Sequence, residues 1–210
     1  MWLLITIFVT SFLIALSGAL MPGPLLTITL SESARRGFLA GPLIVLGHGI
    51  LELVLVILLL VGLAPILNND YVIGTVGLVG AVVLIWMAVG MIRSLPTLSL
   101  EGVATESKGT HPVWAGILMS LANPYWTIWW ATIGLGYIVY SLDLGLLGVV
   151  AFFLGHILAD LAWYAAVSFT VARGRRFMSD QIYRGVIGCC AVALLGFAIY
   201  FGFSGAQRLI

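Results

Sequence analysis

Residues 39–64 read LAGPLIVLGHGILELVLVILLLVGLA, and Glu52 is the only residue in that stretch with a formal charge. A segment crossing about 30 Å of hydrocarbon needs about 20 mostly apolar residues. A transmembrane barrel strand would instead alternate apolar and polar over about ten. The stretch therefore predicts a membrane-spanning helix. Outward from it, five more apolar segments of similar character follow, at about 2–30, 71–93, 113–141, 144–172 and 185–205. Polar residues collect in the breaks: Glu32 to Arg36, Asn68-Asn69-Asp70, Arg93 to His111, Asp143, and Arg173 to Arg184. The whole chain is 62% hydrophobic and 8% charged with a mean hydropathy of +1.18, against about 25% charged in soluble chains. The expected fold is all-α, in the bilayer, with about six transmembrane helices.

Lysine and arginine set the expected orientation. Arg35, Arg36, Arg93, Lys108, Arg173, Arg175, Arg176 and Arg184 fall on one side, against Arg208 alone on the other. The basic side is expected to be cytoplasmic, with both termini extracytoplasmic and Asp70 and Asp143 facing outward. Met1-Trp2-Leu3-Leu4 lacks a basic leader, so the first segment reads as a retained span. The polar stretch 96–112, with Pro96, Glu101, Gly102, Glu106, Lys108 and Gly109, reads as a cytoplasmic linker. It divides a single membrane domain into halves at 1–95 and 113–210. Cys189 and Cys190 are adjacent within an apolar run and read as small packing residues.

The two halves repeat. Leu46-Gly47-His48 with Glu52-Leu53 in the second segment matches Leu154-Gly155-His156 with Asp160-Leu161 in the fifth, at an offset of 108. Gly80 and Gly188 share that offset. Met21-Pro22-Gly23-Pro24 with Thr27-Ile28, and Asn123-Pro124 with Thr127-Ile128, match at an offset of 100. Each half holds three spans, an odd number, so the second copy enters the membrane inverted. Inverted repeats with paired broken helices mark secondary transporters, and the breaks point to the substrate site. Proline deletes a helical hydrogen bond and clashes with the preceding turn, and in hydrocarbon the freed carbonyls must face protein or a wet cavity. Helices 1 and 4 are thus expected to be broken at Pro22, Gly23 and Pro24, and at Asn123 and Pro124. A half-helix starting near Pro24 offers free amides to a carboxylate. Tyr125 stands beside the second break.

Glu52 and Asp160 are acids deep within predicted spans with no lysine or arginine beside them, an expensive arrangement that usually has a function. They suit proton coupling or the amino group of a substrate. His48 and His156 lie one turn before each acid on the same helix face. A competing reading has each histidine simply hydrogen-bonded to its own acid. A third brings all four together, with the donors for zinc or a similar divalent metal. No phosphate-binding G-x-x-x-x-G-K sequence and no G-x-S-x-G elbow occurs, so the motifs support neither an ATP-driven pump nor an enzyme, and no cofactor is expected. The near-neutral net charge of +1 gives no reason to expect nucleic acid as a partner.

Pro22-Gly23-Pro24, Arg36-Gly37-Phe38 with Ala40-Gly41, Leu121-Ala122-Asn123-Pro124, Trp163 and the glycines of the third and sixth segments together resemble the lysine exporter (LysE/RhtB) family, over essentially the whole chain. The resemblance implies a six-helix inner-membrane exporter of amino acids or related metabolites, driven by an ion gradient, with protons as coupling ion. It implies that Pro22, Gly23, Pro24, Asn123 and Pro124 belong to the family's helix breaks. The chain departs from common members at Tyr125, where lysine is frequent, and in its Gly-His-x-x-x-acid pairs. Related exporters of cadmium and other metals keep a metal-export alternative in view, using His48, Glu52, His156 and Asp160. So few helices also leave room for a homodimer.

Overall fold

A computed structural model describes residues 1–63, 66, 69–98, 110–174 and 179–209. Asn68, the linker residues Glu101, Gly102, Glu106, Lys108 and Gly109, and Arg175 and Arg176 of the basic set lie outside the described residues. Among those described, the regular structure is entirely helical. The helices are α1 (Trp2–Ala19), α2 (Pro24–Arg36), α3 (Ala40–Leu58), α4 (Asp70–Ser94), α5 (Pro112–Leu121), α6 (Pro124–Trp129), α7 (Leu135–Leu142), α8 (Gly145–Gly174) and α9 (Asp180–Leu209). Short π-helical turns follow α3 (Leu59–Leu63) and α6 (Trp130–Gly134).

Local chemistry explains most of these boundaries. Pro24, Pro112 and Pro124 each occupy the first turn of a helix, where a missing N–H costs nothing and the fixed φ suits the helix. Asn69 caps α4, its Oδ1 accepting from Tyr71 N at 2.9 Å, and Asn123 caps α6, its Oδ1 accepting from Tyr125 N at 3.1 Å. Gly37 turns the chain from α2 into α3 at φ +82°, a conformation that L side chains rarely adopt.

Among the described residues, five helical stretches are long and apolar enough to cross a membrane: α1, α3 with the start of its π turn, α4, α8 and α9. The sequence leads one to expect about six. The difference falls on segment 113–141, which arrives as α5, α6, a π turn and α7, none long enough alone, because Pro124 restarts the helix after Leu121. Likewise segment 2–30 is divided: α1 stops at Ala19 and α2 begins at Pro24 and runs on to Arg36.

The polarity of the molecule is inverted relative to a soluble domain. Val61, Val82, Trp86, Leu146, Ile199 and Phe203 are exposed, whereas Ser11, Thr29, Glu32, Ser33, Ser141 and Ser168 are buried with the four His and acid residues of the repeat motif. Such a surface is stable only in lipid, where inward-facing polar groups find partners in the bundle. This is a multi-pass membrane protein. In the bundle α1 packs chiefly on α8, α3 on α5, and α4 on α9. The α3–α5 contact is backbone-close: a Cβ on Gly116 would stand 2.0 Å from Ile44 O, and one on Gly47 1.8 Å from Val113 O. On the other side, a Cβ on Gly155 of α8 would stand 2.3 Å from Phe8 O of α1.

Candidate functional site

His48 and Glu52 project from one face of α3, and His156 and Asp160 from the matching face of α8. Glycine lets each helix approach its neighbour closely beside the histidine, at Gly47 and Gly155, and the two faces meet at the centre of the bundle. His48 Nε2 lies 3.0 Å from Glu52 Oε1 and 3.7 Å from Asp160 Oδ2. His156 Nε2 lies 3.1 Å from Glu52 Oε2 and 3.4 Å from Asp160 Oδ2. Each acid therefore contacts the other helix's histidine as well as its own. All four residues are at most 5% exposed.

Three further residues fix this group, and sequence reasoning did not assign them to it. Ser120 of α5 stands 2.6 Å from His48 Nδ1, and its hydroxyl also bonds Gly116 O at 2.7 Å. With the Ser120 proton directed to that carbonyl, His48 Nδ1 is the donor to Ser120. Trp126 and Trp130 donate their indole N–H groups to Glu52 Oε1 at 3.1 and 2.8 Å. The signal for the tryptophans was present, since residues four apart share a helix face just after a proline start. Ser120 carried none beyond its place before Asn123.

The four residues line a cavity of about 50 Å³. Gly23, Asn123 and Tyr125 of the two breaks also line it, whereas Pro22, Pro24 and Pro124 do not. Pro124 instead packs against α4, where a Cβ on Gly80 would meet its ring at 2.5 Å. Gly188, the partner of Gly80 in the repeat, meets only Leu95, so that pair does not share an environment. Gly23 and Asn123, the residues preceding α2 and α6, face each other: a Cβ on Gly23 would lie 3.6 Å from Asn123 Nδ2. No side chain caps α2 at Gly23. Trp129 Nε1, buried in the same wall, has no hydrogen-bond partner among the described residues. The cavity thus has a donor-rich side at the breaks and an acidic, imidazole-rich side between α3 and α8.

The model of the LysE type translocator family matches residues 16–205. The chain belongs to that family. Among its curated relatives is the "Chemotactic transduction protein ChpE" of Pseudomonas aeruginosa, 29% identical over 93% of this chain and 97% of the relative. Another is the "Putative amino acid efflux protein YcgF" of Bacillus subtilis, 22% identical over 97% of this chain and 99% of the relative. No solved structure matches. Membership in the LysE family makes this chain a translocator by class.

Proposed function

We propose that this LysE-family chain exports an amino acid or a related small metabolite, driven by a proton gradient, through alternating access between two inverted halves. One observation carries the reading: the cavity joins unsatisfied donors to buried acids, which is the charge pattern of a zwitterion. The first-turn amides of α2, Asn123 Nδ2 and Trp129 Nε1 receive the solute's carboxylate. Glu52 and Asp160 provide the negative charge that meets its ammonium group or the coupling proton, with His48 and His156 beside them. Tyr125 closes the wall next to the second break.

Several features support the inverted halves. Exchanging helices 1, 2 and 3 with 4, 5 and 6 turns the α1–α8 contact into the α3–α5 contact and leaves α4–α9 as it is. Phe152 O accepts from Ser11 Oγ of α1 at 2.7 Å, and Ile44 O, at the equivalent place 108 residues earlier, lies against Gly116 of α5. A cavity of about 50 Å³ has room for an ion or a few waters but not for a whole amino acid, so the solute enters a wider conformation. The basic ends also cluster. Arg36 Nη2 reaches Thr110 O at 3.5 Å, Arg184 Nε donates to Leu98 O at 2.7 Å, and Arg208 pairs with Asp70 at the opposite end of α4 and α9. We place the first end in the cytoplasm of a cell whose inner membrane holds the protein.

Amino-acid-loaded proteoliposomes with an imposed proton gradient test the reading. Wild-type protein should show substrate-dependent efflux, while Glu52→Gln and Asp160→Asn should abolish it and still elute as folded protein in detergent. Full efflux by both variants would refute the assigned roles.

A further inference from the structure

We propose that His48, Glu52, His156 and Asp160 form a four-coordinate site for a single divalent transition-metal ion, with zinc as the best match. The inference deepens the export reading by stating what fills the acidic side of the cavity when solute is absent. It stands on the donor geometry alone, and the solute's identity does not enter.

The four residues each offer one ligand atom, and these atoms lie within 4.8 Å of one another. His48 Nε2 lies 3.0 Å from Glu52 Oε1 and 3.7 Å from Asp160 Oδ2, and His156 Nε2 lies 3.1 Å from Glu52 Oε2 and 3.4 Å from Asp160 Oδ2. Zinc bonds of about 2.0–2.2 Å to nitrogen and oxygen place tetrahedral ligands about 3.3–3.6 Å apart. Two imidazoles with two carboxylates suit zinc and its first-row neighbours, while magnesium and calcium ask for six or more oxygens.

Orientation of the lone pairs supports the same conclusion. Glu52 Oε2 and Asp160 Oδ2 are fully buried and accept no hydrogen bond, although imidazole nitrogens stand 3.1 and 3.4 Å away. His156 Nε2 also stands 3.2 Å from Glu52 Oε1, so both imidazoles face the acids and Oε2 and Oδ2 keep bare lone pairs. Ser120 accepts from His48 Nδ1, which leaves Nε2 free to ligate. Trp126 and Trp130 occupy Glu52 Oε1, which leaves Oε2 free. Such outer partners commonly orient metal ligands. Charge closes as well: two carboxylates, two neutral imidazoles and one divalent ion sum to zero, which removes the penalty of holding two acids in hydrocarbon.

The test uses the purified full-length protein, stripped with chelator, dialysed against zinc and analysed for bound metal. One zinc per chain is expected. Cobalt in its place should give the intense visible absorption of a tetrahedral complex. Glu52→Gln keeps the side chain's shape and its indole contacts, so a folded Glu52→Gln protein should lose the stoichiometric ion, as should His156→Gln. Ser120→Ala, which touches no ligand position, should weaken zinc binding by about 10–100-fold. Absence of stoichiometric metal in wild type, or equal metal in Glu52→Gln and His156→Gln, would overturn the site and leave two imidazolium–carboxylate pairs in its place. Solute efflux is scored separately. Zinc binding without efflux of any amino acid sinks the export reading alone, and efflux from a wild-type protein that binds no zinc sinks this inference alone.

Discussion

Glu52 is the most constrained residue in the molecule. It sits among two histidines and two indole N–H groups, 1% exposed, with one oxygen fully partnered and the other bare. Hydrogen bonds to a charged acceptor contribute about 1.5–3 kcal/mol each. Trp130→Phe keeps an aromatic ring but deletes the 2.8 Å bond from a fully buried indole and leaves part of the indole's space empty. It should lower unfolding stability in detergent by about 1.5–3 kcal/mol and reduce both zinc affinity and efflux. Trp126→Phe deletes a longer bond from a half-buried ring and should do less. Equal effects of the two would argue that the indoles act only by packing. The acids and histidines were legible in the sequence because ionisable groups are rare in apolar runs. Trp126 and Trp130 were visible as residues but not as holders of Glu52, since tryptophan at this depth more often packs or marks an interface.

The helices are registered against one another by glycine. Close backbone approach is a common way to build a bundle in lipid, where burial of apolar surface gives no driving force between helices. Gly116→Ala would push a methyl group to within 2.0 Å of Ile44 O, so α3 and α5 must separate. Overpacking of this kind costs about 1–3 kcal/mol, and here it also draws Ser120 away from His48. Gly90→Ala in α4 has open space around the new methyl, so it should be neutral or stabilise by up to about 1 kcal/mol through helix propensity. Thermal unfolding of the two variants side by side checks this, and a neutral Gly116→Ala would show that the α3–α5 contact is looser than drawn. A second tie at this scale is Ser168 of α8, which donates to Phe38 O at 2.6 Å and accepts from Gly41 N at 3.2 Å, bonding also with Ser33 Oγ at 2.7 Å. It holds α2, the start of α3 and α8 together away from the cavity.

For the whole molecule, the export reading requires two ends of opposite sidedness. With Cys189 and Cys190 first replaced by serine, a cysteine at Asp143 should react with an impermeant thiol reagent in intact cells. One at Thr110 should react only after permeabilisation, and the reverse pattern would invert the orientation. The Arg208–Asp70 pair at the end of the bundle opposite Arg36 and Arg184 is largely exposed and adds little to stability.

Composition and periodicity alone determined the solvent of this protein, the approximate positions of its apolar segments, and the matching His-x-x-x-acid motifs of the second and fifth. These are properties of a single segment: how apolar it is, how its residues repeat, and whether each position can donate a helical hydrogen bond. Tertiary structure alone decided that the two faces meet. It also decided that Ser120 orients His48, that the indoles take one oxygen of Glu52, and that Gly23 and Asn123 share the same cavity wall while their neighbouring prolines point elsewhere. Those outcomes depend on the depth and rotation of one helix against another. That register is set by backbone contacts at Gly47, Gly116 and Gly155, whose partners lie tens to more than a hundred residues away in the chain.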